Sequence, residues 1–209
     1  MNSNSENNIL SRKERERQQH RREIILAAVH LFAQKGFNDT TLEDVASLAE
    51  FGKGTIYNHF ENKNDLLISS IKFVFEDAQL YLMEQLQDVE DVIERLNIIV
   101  VSQFEYYDQN EDFIRLMTSQ HKTIIHEMMH ANNRELYDRF MTLNTLLTTE
   151  FQQAIDSGRI KSRSAKAYTY FLTGMIHGQF RAISMGEISR DEIDPQEILD
   201  IFFNGALND

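Results

Sequence analysis

Two stretches of the chain carry side chains whose type and spacing suit chemistry. In the first, Lys53, Gly54, Thr55, Tyr57, Asn58, His59 and Lys63 fall within one short segment. Hydroxyl, imidazole and ammonium donors at this density suit the oxygens and base edges of a nucleic acid. Tyr57, His59 and Lys63 fit phosphate, with Thr40 or Thr41 adding a hydroxyl from just upstream. Lys53, Thr55 and Asn58 fit base edges, Lys53 toward guanine acceptors and Asn58 toward adenine. The second stretch, His126-Glu127-Met128-Met129-His130, places two histidines one helical turn apart with a glutamate between them. That spacing can hold zinc and supply a general base; His121 lies nearby, and Glu150 is a candidate third ligand.

The metal reading is the weaker of the two. A longer zinc-protease continuation would need glycine and histidine where the chain has Asn133 and Leu136. A five-residue match with two free positions also arises by chance. The histidines are therefore read as polar groups lining a pocket or facing solvent. No catalytic site, metal or other cofactor is expected. The chain contains no cysteine, which removes disulfides, thiolate catalysis and cysteine-based zinc sites.

Composition narrows the class further. The 209 residues carry a net charge of −12, which argues against nucleic acid until its distribution is considered. Residues 1–66 hold nine basic and ten acidic side chains, so the strong negative charge belongs to the remainder. A near-neutral head with a basic cluster, Arg12 to Arg22, precedes an acidic body, a polarity that would orient the molecule on DNA. The cluster is read either as an arm that touches DNA or as a solvated charged helix. Residues 1–8 are polar, and no later stretch has the apolar length of a membrane span. A soluble cytoplasmic protein with no membrane partner is expected.

The elements that must position these residues are helical throughout. Apolar spacing predicts a first helix over about 21–35, closed by Gly36, and a second starting at Thr40, where Thr40-Thr41-Leu42-Glu43 fits a capping box. The turn Glu50-Phe51-Gly52 leads into a third helix over 53–60, whose Ile56 and Phe60 point inward. Its amino end would offer unpaired backbone N–H groups to phosphate, with Gly52 and Gly54 allowing close approach. Two short helices joined by a three-residue turn on a shared apolar centre form a helix-turn-helix. A long helix starts at Asn62 to Asp65 and runs past Leu82, so head and body are expected to join through helix. Further helices cover the segments around 89–107, 113–117, 136–155, 164–186 and 195–207. The expected organisation is a DNA-binding domain over 1–66 and a helical body over 67–209.

The segment from Thr40 to Leu66 resembles the signature of TetR-family transcriptional regulators. Lys53, Gly54, Thr55, Ile56, Tyr57, His59, Phe60, Lys63 and Leu66 all stand where that pattern places them. Glu50 departs from it where glycine is usual, and Gly52 where a serine or threonine cap is common. The resemblance covers about residues 21–66, and the body is similar only in length and all-helical layout. It implies a homodimer that binds a palindromic, double-stranded operator and is released, as a repressor, by a small-molecule effector. Two other readings stay open: an enzyme built on the His126/His130 pair, and a helical adaptor whose head contacts protein.

Two roles follow for the body. Dimerisation is assigned to the last two long helices: Phe171, Gly174, Gly178 and Ala182 on one, Ile198 and Phe202 on the other. Glycines permit close helix approach, and a terminal helix this apolar needs cover. An effector pocket is assigned to Phe104, Tyr107, Phe113, Met117, Met128, Met129, Phe140, Met141, Tyr170 and Met175. Methionine-rich walls suit adaptable apolar binding, so the effector is expected to be apolar or amphipathic.

Overall fold

The first helix begins well upstream of its apolar stripe, because polar residues cap it. In a computed structural model, which describes residues 11–120, 122–124, 126 and 134–206, α1 spans Arg12–Lys35. The Ser11 hydroxyl accepts from the Glu14 N–H at 3.2 Å, while the Ser11 N–H donates to the Glu14 carboxylate at 2.8 Å. Side-chain pairs one turn apart, Arg12 with Glu16 and Gln19 with Glu23, carry the polar half. Apolar periodicity starts only at Ile24, so the expected start near residue 21 fell about two turns late. Ile24, Ile25, Ala28 and Phe32 are buried, and Gly36 ends the helix at a φ of +83° that a side chain would resist.

The second helix, α2 (Leu42–Leu48), shifts by one residue from the expected cap. Thr41 is the N-cap, accepting from the Asp44 N–H, whereas Thr40 is fully buried beneath it. After the turn comes α3 (Lys53–His59), capped at Gly52 without a side-chain bond. Glu50 takes the left-handed conformation there, at φ +59°. Leu42, Val45, Ala46, Ile56, Phe60 and Leu66 join the buried face of α1, closing a small core.

Helix α4 runs over Lys63–Gln85. The chain divides into two compact units, one ending at Ser70 and the other starting at Ile71; this boundary and the expected one after residue 66 both fall within α4.

The second unit contains α5 (Val92–Gln109), α6 (Glu111–Ser119), α7 (Arg134–Asp156), α8 (Ala165–Ser184), a 3-10 turn at Arg190–Glu192 and α9 (Pro195–Ala206). Asp91 caps α5 by accepting from the Ile93 and Glu94 N–H groups at 3.0 Å, and Ser164 caps α8. Leu96, Ile99 and Phe104 of α5 meet Leu147 and Phe151 of α7, Leu172, Ile176 and Phe180 of α8, and Ile198 and Phe202 of α9. The Arg95 guanidinium reaches Glu150 inside this core, at 2.8 Å from Nη2 and 2.9 Å from Nε. Among the described residues every regular element is helical, and no helix is long and apolar enough to cross a membrane.

Candidate nucleic-acid interface

Burial sorts the residues of α3 onto two faces. Ile56 is fully buried, and Phe60, which caps the helix, is nearly so. The opposite face presents Lys53, Gly54, Tyr57 and Asn58 to solvent, with Thr55 and His59 half-buried beside them. Tyr57 keeps 51% of its surface. A seven-residue helix anchored through one isoleucine and its cap thus leaves its polar donors free of the core.

Lys53 is already engaged. Its ammonium pairs with Glu43 of α2 and lies 6.0 Å from the centre of the Tyr57 ring. Each charge stabilises the other, holding the Lys53 ammonium above its ordinary pKa and Glu43 below its own. Glu43 therefore sets where Lys53 points before any nucleic acid arrives, a role the sequence did not suggest.

Two sequence-predicted contacts are corrected. The Thr40 hydroxyl donates inward, to the Gly36 carbonyl at 2.8 Å and the Leu31 carbonyl at 3.3 Å, so it is withdrawn from any ligand. Thr41 is exposed and keeps the upstream hydroxyl position, its O–H donating to the Asp44 carboxylate at 2.9 Å. The Lys63 ammonium donates to the carbonyls of Phe37 at 2.8 Å, Thr40 at 2.9 Å and Asn38 at 3.2 Å. With its donors directed at backbone, Lys63 is a brace for the loop before α2 rather than a free charge.

His59 has neighbours that the sequence reading left out. Because α1 starts at Arg12, its polar half brings Arg17, His20 and Arg21 close to the imidazole. Burial, then Arg17, Arg21 and His20, hold His59 below the usual imidazole range. The signal was present: Ser11 stands three residues before Glu14, the spacing of a capping box, but it precedes a polar run rather than an apolar one.

Residues 24–69 match the family model described as bacterial regulatory proteins, tetR family. That match to the TetR family spans α2, α3 and the parts of α1 and α4 that pack on them. It is 27% identical to the uncharacterized helix-turn-helix-type transcriptional regulator YerO of Bacillus subtilis over 184 residues, covering 84% of this chain and 59% of YerO. The chain thus spans less than two thirds of that relative's length. It is 29% identical to IcaR of Staphylococcus aureus strain Newman, the negative transcriptional regulator of the biofilm operon icaADBC, over 66% of this chain and 70% of IcaR. A Saccharomonospora viridis protein solved in complex with choline superposes with a TM-score of 0.80 at 20% identity, covering 92% of this chain and all of that one, 100%. These relatives are regulators, and the enzyme reading has no counterpart among them.

The second unit departs from the expected site assignments at several residues. Phe104 is fully buried, with its ring 4.7 Å from that of Phe180. Tyr107 stacks on the same ring at 5.4 Å, and Phe113 is buried against Phe73. Of the eight expected pocket residues that the structure describes, Tyr107 lines a surface groove of about 410 Å³, shared with Asp108, Glu111, Ile183, Ile188, Ser189 and Arg190. Met117, Phe140, Met141 and Met175 are half-buried, and Phe140 packs on Phe75. Tyr170 is half-exposed on the outer face of α8, not in an interior pocket. Met128 and Met129 lie outside the described residues, as do His121, Glu127 and His130.

The expected interface also divides. Phe171 is exposed, as are Gly174 and Gly178, where an added Cβ would meet nothing within 4 Å. Ala182 is half-buried. Ile198 and Phe202, however, are buried in their own subunit's core, and the outward residue of α9 is Ile201. The reason is helical phase: the inward stripe of α9 contains 198, 199 and 202. On the metal motif, His126 is exposed on the surface, and Glu150 is occupied by Arg95 rather than directed at a ligand.

Proposed function

We propose that this chain is a homodimeric transcriptional repressor that binds a palindromic operator and releases it when a small, apolar or amphipathic ligand enters the second unit. One observation carries the DNA-binding reading: α3 anchors itself through Ile56 and presents Lys53, Tyr57 and Asn58 together on the outside. Lys53, Thr55 and Asn58 read base edges, whereas Tyr57, His59, Thr41 and the backbone at Gly54 meet phosphate. Repression is supported by the likeness to IcaR, a negative regulator. The choline complex of a protein with this fold supports a small-molecule effector. Tyr170, Phe171, Met185 and Ile201, all exposed on α8 and α9 or at the end of α8, supply the face that a second copy covers. Ligand entry acts through α4, which begins in the first unit and ends in the second; a coupling of about 1–3 kcal/mol gives a useful switch.

The test is a titration against the intergenic duplex flanking the protein's own gene across a salt series. Phosphate-driven association requires log Kd to rise linearly with log salt. Tyr57→Phe should weaken binding by roughly threefold to tenfold, the value of one hydrogen bond, with the melting temperature unchanged. Binding that ignores salt and this substitution would favour an adaptor that contacts protein.

A further inference from the structure

The first unit has a groove of about 420 Å³ walled mostly from α1, by Glu14, Arg17, Gln18 and Arg21, together with His59 of α3 and Asp65 of α4. We propose that in this groove Arg17 of α1 joins His59, so that the backbone phosphate assigned to His59 is held from two helices at once. The inference rests on the DNA-binding reading above.

The other charged groups in the groove are already committed. Arg21 Nη2 donates to the Ser69 hydroxyl at 3.0 Å, and its guanidinium lies 4.5 Å from the centre of the Phe60 ring. It is a fixed positive wall. Both carboxylates serve as helix caps: Glu14 accepts from the Ser11 N–H at 2.8 Å and Asp65 from the Glu61 N–H at 3.0 Å. Arg17 pairs with no carboxylate among the described residues, whereas Arg12 on the same helix is ion-paired to Glu16 at 2.8 Å. A guanidinium fork facing an imidazole suits a tetrahedral anion, because each donor reaches a separate oxygen.

The imidazole adds a signature that ordinary surface charge lacks. His59 faces Arg17, His20, Arg21 and Glu14 from α1 and Asp65 from α4. Burial and the two arginines keep it neutral near pH 7 in the free protein. A phosphate between His59 and Arg17 replaces a repelling field with an attracting one, so binding takes up a proton. Affinity should therefore rise as pH falls.

Arg17→Gln, Arg17→Lys and His59→Gln in the full chain, titrated against the same intergenic duplex, test the site. Arg17→Gln removes one phosphate contact from each subunit, so it should lower the slope of log Kd against log salt by about 1.8 for the dimer and weaken binding at least tenfold, while Arg17→Lys keeps the slope. Wild type should bind more tightly near pH 6 than near pH 8, and His59→Gln should lose that difference. A wild-type slope in Arg17→Gln, or equal wild-type affinity at both pH values, overturns the site. If Tyr57→Phe still weakens binding in that case, DNA recognition by α3 stands and only the groove fails. If wild type shows no salt-dependent binding, both readings fall together.

Discussion

The Lys63 ammonium donates to the Thr40 carbonyl at 2.9 Å, tying the first turn of α4 to the residue just before the cap of α2. The Thr40 hydroxyl in turn donates to the Gly36 carbonyl at 2.8 Å, so one chain of bonds fixes the loop between α1 and α2. Phe37 closes it, with its ring centre 4.5 Å from the same ammonium. Lys63→Met removes the cation and strands several carbonyls. The first unit should lose about 1–3 kcal/mol, measurable by thermal or urea unfolding. DNA affinity should fall as the start of α2 loosens, yet the salt slope should stay at the wild-type value. A slope reduced by about 1.8 for the dimer, with no loss of stability, would return Lys63 to phosphate contact.

Glu50 is the second place where the helix-turn-helix carries a local cost. It stands at φ +59° with its side chain exposed, in a turn where glycine adopts that conformation freely. A Cβ in the left-handed region costs about 1 kcal/mol, partly offset because glycine loses more backbone entropy on folding. Glu50→Gly should stabilise the first unit by about 0.5 kcal/mol, with a small rise in melting temperature. Glu50→Val should do the reverse, since branching at Cβ makes this conformation harder still. Equal melting temperatures for all three would mean that the turn relaxes.

These two residues also show what was legible in advance. The turn and both short helices were readable because their apolar residues, Leu42, Val45, Ile56 and Phe60, keep helical phase. What periodicity cannot report is the destination of a polar side chain. Thr40 and Thr41 are adjacent and chemically identical, yet one is buried and one caps a helix, a choice made by the packing of α1. The polar half of α1 was readable as a charged helix or an arm, but not the placing of Arg17 beside His59, which no periodicity reports. In the body, Phe171 and Phe202 read as equivalent apolar positions, but helical phase turns the first outward and the second into the core.

Glu150 illustrates the same limit inside the second unit. As a sequence position it offered a carboxylate to a metal, but in the fold it is buried on the inward face of α7 and bonded to Arg95 of α5. Arg95 also donates to the Val89 carbonyl at 3.0 Å and the Leu86 carbonyl at 3.3 Å, so the pair fastens the turn after α4 to the core. Glu150→Ala leaves the guanidinium without its counter-charge and should cost about 3–5 kcal/mol. The double variant Arg95→Met/Glu150→Leu should recover most of that loss, because burying the pair carries its own desolvation penalty. Urea unfolding of the three variants gives the comparison. A loss below about 1 kcal/mol for Glu150→Ala would show that the pair is hydrated in solution.

The proposed dimer contact uses exposed residues of α8 and α9 that differ from those in the subunit's own core, so association can be tested apart from folding. Phe171 and Ile201 keep 66% and 68% of their surface in the single chain, so neither supports its own core. Phe171→Glu and Ile201→Glu should leave the helical signal and the unfolding midpoint of the isolated subunit intact. Sedimentation should then report a monomer, since a carboxylate on each side of a twofold contact is both desolvated and set against its own copy. Linked half-site binding disappears with the dimer, so affinity for a palindromic duplex should fall by a hundredfold or more, on the order of the gain that bivalency confers. Ile198→Ala tests the opposite prediction. Ile198 is buried within its own subunit, so its truncation should cost about 2–5 kcal/mol of stability at any protein concentration. Should Ile198→Ala dissociate the dimer without destabilising the subunit, while Phe171→Glu leaves it intact, the interface would have to be moved to the inward stripe of α9.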